Sequence, residues 1–145
     1  MVVGVTGHRN LRPDEIPHLR SEVRRFFSTL QKDFPELPIT LLSPLAAGAD
    51  QLVTSVAMDM GIRVIAILPI PAEMYLHDFE DEASLAEFQR QLANSEHLEL
   101  TLHGKGDEAS KAGPARNLQY AHAGIFTSSH CHILLALWDG KENGY

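Results

Sequence analysis

Short apolar runs recur along this chain, each separated from the next by a stretch of helical periodicity, and this alternation constrains the fold more than any other feature. The runs are Val2-Val3-Gly4-Val5, Ile39-Thr40-Leu41-Leu42-Ser43, Arg63-Val64-Ile65-Ala66-Ile67-Leu68 and His132-Ile133-Leu134-Leu135-Ala136-Leu137-Trp138. The third and the last have no polar alternation, which marks strands buried on both faces of a parallel sheet. Between the first two, Ile16, Leu19, Val23, Phe26, Phe27, Leu30 and Phe34 form one helical stripe. That helix is expected to start at Pro13-Asp14-Glu15, since Pro favours a first turn and acids favour the positive end of the dipole. Leu52, Val53, Val56, Ala57 and Met60 give a second helix, capped at Gly61. Further helices are expected from about Leu85 to Ser95 and from Pro114 onward. His97 to Leu102 alternates strictly, so a fourth strand is placed nearer an edge. Strands alternating with helices predict an α/β domain, Rossmann-like and doubly wound. Its mainly parallel sheet has about five strands with helices on both faces, and the first strand is expected to be central.

In such a sheet, ligands sit in the loops that follow the strands. The loop after the first strand carries Gly7, His8 and Arg9. A Gly there allows close backbone approach, and Arg9 offers planar donors for phosphate or carboxylate. His8 suits a hydrogen bond to base or ribose, or proton transfer. The bland alternative is a turn Gly and an Arg paired with a structural acid. The loop after the second strand runs from Ser43 through Gly48 and Ala49 to Asp50. Free N–H groups at a helix start attract anions, but Asp50 would compete for them. It is therefore either a cap or a partner for ribose hydroxyls. Asp139 and Gly140 end the last strand, where Asp-Gly is also an everyday turn. Tyr75 and Asp78, with Phe79, follow the third strand in an irregular acidic stretch and either close over a ligand or pack back on the core. His103 to Gly113 reads as the most mobile loop, and the final KENGY reads as loop too.

Several chemistries are disfavoured. Neither G-x-x-x-x-G-K-[ST] nor G-x-G-x-x-G occurs in the opening loop. Ser43 lacks a nucleophile-elbow context, and no acid pair stands out for general acid–base work. His130 and His132 would share one face of a strand, but no third ligand has metal spacing, so no metal is assigned. The single cysteine, Cys131, excludes an internal disulfide and fits a reducing, cytoplasmic setting. No apolar run approaches the ~20 residues of a membrane helix. With 19 acidic against 12 basic residues the net charge is −7, which argues against nucleic acid as a partner.

Taken in order, GVTGHR, LSPLAAGADQL, LP-x-P-x-x-x-Y-x-x-DF and LLALWDG resemble the SLOG superfamily. These are Rossmann-like domains related to the LOG phosphoribohydrolases and to the Rossmann domain of DprA. The chain is most similar to the bacterial GHR…GAD…WDG branch, proposed to sense nucleotide ligands. The resemblance spans Val2 to Gly140 and implies a nucleotide-type ligand at the strand ends, with no cofactor fixed. The matching positions are Gly7, His8, Arg9, Ser43, Gly48, Ala49, Asp50, Asp139 and Gly140, with Tyr75 and Asp78 held less firmly. Arg116, Asn117 and Tyr120 fall where relatives carry a polar helix start. Relatives continue past WDG into a Gly-Gly-Thr turn and a helix. Residues 1–145 are thus expected to form a single domain, truncated at its C-terminal end, with an effector domain in a longer chain and a homo-oligomer both allowed. The resemblance implies binding or sensing of a nucleotide derivative. Its alternatives are a LOG-like nucleoside 5′-monophosphate hydrolase, which would cleave an N-glycosidic bond, and a DprA-like nucleic-acid adaptor. The P-G-G-x-G-T-x-x-E motif of the LOG enzymes is absent, so a binding domain is favoured over an enzyme.

Overall fold

The computed structural model describes residues 1–101 and 113–141. Its elements run β1 (Val2–Gly7), α1 (Ile16–Asp33), β2 (Thr40–Ser43), α2 (Ala49–Asp59), β3 (Arg63–Leu68), α3 (Ala72–Tyr75), α4 (Glu82–Ala93), β4 (Glu96–Glu99), α5 (Pro114–Ser129) and β5 (Ile133–Leu137). The five strands form one parallel sheet in the order β4-β3-β2-β1-β5. This is the Rossmann-like α/β architecture that the alternating pattern predicts. From β1 to β4 the chain steps in one direction across the sheet. It then crosses back through α5 and lays β5 on the free side of β1.

Hydrophobic burial fixes the layers. Val3, Val5, Leu41 and Val64 pack against Val23, Phe27 and Leu30 of α1 and against Leu52, Val53 and Val56 of α2. On the opposite face, Leu42 and Ile67 pack against Ala123 and Phe126 of α5. Gly4 faces α5 so closely that a Cβ there would lie 2.9 Å from the Thr127 methyl. Buried amides lock α4 to α2: Gln91 Nε2 donates to Gln51 O at 2.9 Å, and Gln51 Nε2 donates to Ser84 O at 2.9 Å. Among the described residues, no helix is long and apolar enough to cross a membrane.

Five local expectations are corrected. The first helix starts at Ile16, with Pro17 in its first turn, because residues 12–15 close a turn in which Glu15 N donates to Arg12 O at 3.0 Å. Helix α4 starts earlier than expected, at Glu82, because Asp81 accepts from Ser84 N at 2.7 Å and caps it. The stretch around Tyr75 and Asp78 is helical, with α3 passing into a tight turn over Leu76–Asp78. β1 is interior but not central, flanked by β2 and β5. β5 is an edge strand in the described sheet, with Leu134 43% exposed, although its sequence reads as fully buried. An all-apolar run reports what a strand prefers to face, whereas coverage depends on which neighbours arrive. β4 is the opposite edge, as its alternation suggests, and all four of its residues are exposed. Leu102, nearly all of the loop read at 103–113 and the final 142–145 lie outside the described residues.

Candidate functional site

The loops after β1, β2 and β5 meet because those strands are neighbours. Gly7 pairs with Leu137, and His8 N donates to Leu137 O at 3.3 Å. From the other side, Ala49 N donates to His8 O at 3.0 Å. Gly48 has φ +84°, and a Cβ there would sit 2.2 Å from Arg9 O. Any other residue at 48 would drive the β1 loop off the α2 start. Gly7 is equally confined, with its missing Cβ 2.5 Å from that of Ala49 and 2.6 Å from Leu137 O. Both glycines therefore let protein approach protein. The free space they create is filled by the two loops themselves.

Arg9 projects from this junction over a shallow cleft of about 170 Å³, lined also by Asn10, Ala46, Ala47 and Phe79 and by three acids, Asp78, Glu80 and Asp81. Its guanidinium carbon lies 4.8 Å from the centre of the Tyr120 ring, a cation–π contact that aims the group without neutralising it. The guanidinium forms no salt bridge with the described residues. Among the described lining residues Arg9 is the one cation.

The acids around it differ in kind. Asp50 is only 7% exposed, and its Oδ2 accepts from Ala46 N at 3.2 Å, closing the loop between β2 and α2. The helix itself takes no side-chain cap. Burial pushes the Asp50 carboxyl up to about 7, against the opposing pull of the Ala46 N–H and of Arg9. Asp78 Oδ1 lies 2.6 Å from Nη2 of Arg116, and both side chains are mostly buried. Burial raises the Asp78 carboxyl, with Arg116 and then Arg9 holding it back. On the β5 side, Asp139 Oδ1 accepts from Lys141 N at 2.9 Å and lies 3.2 Å from His8 Nε2. Those interactions, the Lys141 N–H foremost, hold the Asp139 carboxyl below its usual range. Gly140, at φ +84°, completes that turn.

Other expected residues serve the walls. Ser43 is fully buried, its Oγ accepting from Leu45 N at 3.2 Å and from Thr54 Oγ1 at 2.9 Å. Ala49 is buried in the core beneath the β1 loop. Tyr75 is 2% exposed and donates its hydroxyl to Pro44 O at 2.9 Å. Burial also raises that phenol. Its ring stands edge-on to Phe88 at 5.1 Å and tilted to Phe79 at 5.3 Å. This aromatic layer forms the floor beside the cleft. His130 and His132 each engage backbone, through Phe126 O at 2.8 Å and Val2 N at 2.9 Å.

Sequence reasoning named Arg116 and Tyr120 without giving either a role. The signal was their spacing: four residues apart on one helix, they share a face. α5 turns that face to the cleft, so one residue pairs with Asp78 and the other underlies Arg9. Trp138 also went unassigned. It reads as the end of a buried strand, yet it is 66% exposed.

No family model and no curated protein matches the chain. Solved structures do. The chain is similar to DNA processing protein A (DprA) of Streptococcus pneumoniae, at 17% identity and TM-score 0.58, over 92% of this chain and 40% of that one. It is likewise similar to DNA processing protein A of Helicobacter pylori, at 17% identity and TM-score 0.60, over 98% of this chain and 56% of that one. The chain thus spans roughly half the length of these proteins or less, and the likeness is one of fold. That fold is the Rossmann-like α/β one. The Helicobacter structure concerns a mode of single-stranded DNA binding. This corrects the expectation that the acidic balance argues against nucleic acid. Net charge sums the whole surface, whereas a bound strand meets only the groups at its own site.

Proposed function

We propose that the crevice at the C-terminal ends of β1, β2 and β3 binds a nucleotide unit presented by single-stranded DNA. Arg9 supplies the phosphate contact in this proposal. The observation that carries it is the guanidinium of Arg9, set on the Tyr120 ring, without a salt bridge among the described residues and facing open space. A phosphate oxygen pair matches that planar fork. Asp139, 3.2 Å from His8 on the β5 side of the Arg9 loop, is an acceptor for hydroxyl or amino groups of the same unit. Likeness of fold to a protein that binds single-stranded DNA supports the strand as the source of the phosphate.

A second reading is a free nucleotide derivative, in keeping with the resemblance to the GHR…GAD…WDG branch. Cleft size is the same constraint on both readings: about 170 Å³ is below the ~300 Å³ at which drug-sized pockets begin, so the cleft takes the phosphate end of a nucleotide and leaves the rest outside. Both readings make Arg9 the anion contact, so one variant tests them together. Arg9→Ala is expected to weaken binding by ~1–3 kcal/mol, the worth of a hydrogen bond to a charged group. Anisotropy of an end-labelled oligothymidylate, with a thermal-shift panel of mononucleotides beside it, reads the two sources separately. An intact fold with unchanged affinity for every probe would remove the phosphate from Arg9.

A further inference from the structure

Trp138 is the only tryptophan of the chain and one of its most exposed large apolar side chains. It directly follows Leu137, whose carbonyl accepts from His8 N at 3.3 Å, so it stands at the same rim as the Arg9 loop. Its orientation is fixed. The indole Nε1 donates to Lys141 O at 2.7 Å, and Lys141 N donates back to Asp139 Oδ1 at 2.9 Å. Gly140 at φ +84° lets the turn close. The one polar atom of the ring is thus satisfied within the turn, while most of the side chain stays in water. A large aromatic surface normally drives burial, so a ring held outward by its one hydrogen bond to the turn is arranged to meet something.

Resting on the reading of the crevice as a DNA site, we propose that Trp138 is a stacking platform for the base next to the nucleotide whose phosphate Arg9 holds. The site then spans at least two nucleotides and selects single strands, whose bases present free π-faces. Stacking of this kind tolerates any base and does not depend on net charge, so it suits an acidic chain with one cation on its described cleft lining.

The tryptophan is its own probe. Titrating the full chain with an oligothymidylate is expected to quench indole fluorescence saturably, with the same midpoint as anisotropy of the labelled strand. Trp138→Ala is expected to weaken oligothymidylate binding about tenfold or more, the range for loss of one stacked base. Trp138→Phe should keep most of the affinity, and thymidine monophosphate should bind Trp138→Ala as it binds the parent. The proposal is overturned if Arg9→Ala abolishes strand binding while Trp138→Ala binds normally and the parent shows no quenching. It is overturned equally if Trp138→Ala weakens strand and mononucleotide by the same factor, since no second nucleotide is then engaged. Failure of the parent chain to bind any oligothymidylate overturns the DNA reading itself, and the stacking role with it.

Discussion

At the scale of single residues, the acids around Arg9 look alike in sequence and differ in what surrounds them. Asp139 sits in water and accepts a turn N–H, which favours its charged form. Asp50 is sealed under the loop, and the cost of desolvation exceeds the help from Ala46 N–H and Arg9. Its folded-state value of about 7 lies above the ordinary 3.8, so the folded chain binds that proton more tightly than the unfolded chain does. Stability from this group is full below pH 4 and is lost as pH rises toward 7. A shift of that size corresponds to ~4 kcal/mol at most, because one pKa unit is worth ~1.4 kcal/mol. Asp50→Asn keeps an acceptor for Ala46 and cannot ionise. Melting temperatures followed from pH 4 to 8 should fall less steeply for the variant. Parallel curves would show that water reaches Asp50.

Elements meet at two places that decide the shape of the crevice. One is the Gly48 junction, where the start of α2 lies against the backbone of the β1 loop. Gly48→Ala adds a Cβ at 2.2 Å from a carbonyl oxygen and at a φ of +84°. Unlike a typical surface change, it is expected to destabilise by at least ~2 kcal/mol, through strain of ~1–3 kcal/mol and displacement of the loop. Urea unfolding measures it, and a loss under ~0.5 kcal/mol, the size of an ordinary surface change, would mean the loop yields easily. The other is the α5 contact. Arg116 reaches Asp78 at 2.6 Å and also donates to Met74 O at 3.3 Å, tying the start of α5 to the segment after β3. Asp78 is therefore held as a wall, and its charge is already answered.

Across the whole molecule, the strand order creates the crevice. β1 sends its chain toward β2 on one side, and β5 has arrived on its other side through the opposite helical layer. The β1 and β5 loops at this point stay joined through His8 and Asp139, 3.2 Å apart, and the cleft that Arg9 faces opens on the other side, toward the segments after β2 and β3. Around it the molecule is acidic overall, at −7. A strand bound here gains its charge contact chiefly from one guanidinium. The logarithm of the binding constant is therefore expected to fall against the logarithm of salt with a slope of about −0.7, the value for one phosphate on a single strand. Anisotropy titrations across a salt series give that slope directly. A value several times steeper would mean a longer basic track and would move the site off this crevice.

By itself the sequence determined the layers. The apolar period along each segment distinguishes strand from helix, and alternating strands with helices leaves a parallel sheet as the way to bury both. It also pointed to the edge where the candidate site was sought, because parallel strands bring the loops that follow them to the same end of the sheet. Tertiary structure decided what each residue there is free to do. Ser43 and Tyr75 carry the same polar groups as a ligand site would, yet their hydroxyls are engaged by Thr54, Leu45 and Pro44. Arg116 was legible only as part of a helix start until α5 brought it to Asp78. Leu134 and Trp138 belong to a run that reads as core, and they are exposed because β5 is an edge of the described sheet. Period and propensity are local properties of the chain. Burial, pairing and exposure are set by partners that arrive from distant segments, and those partners fix which of several plausible side chains are left facing the crevice.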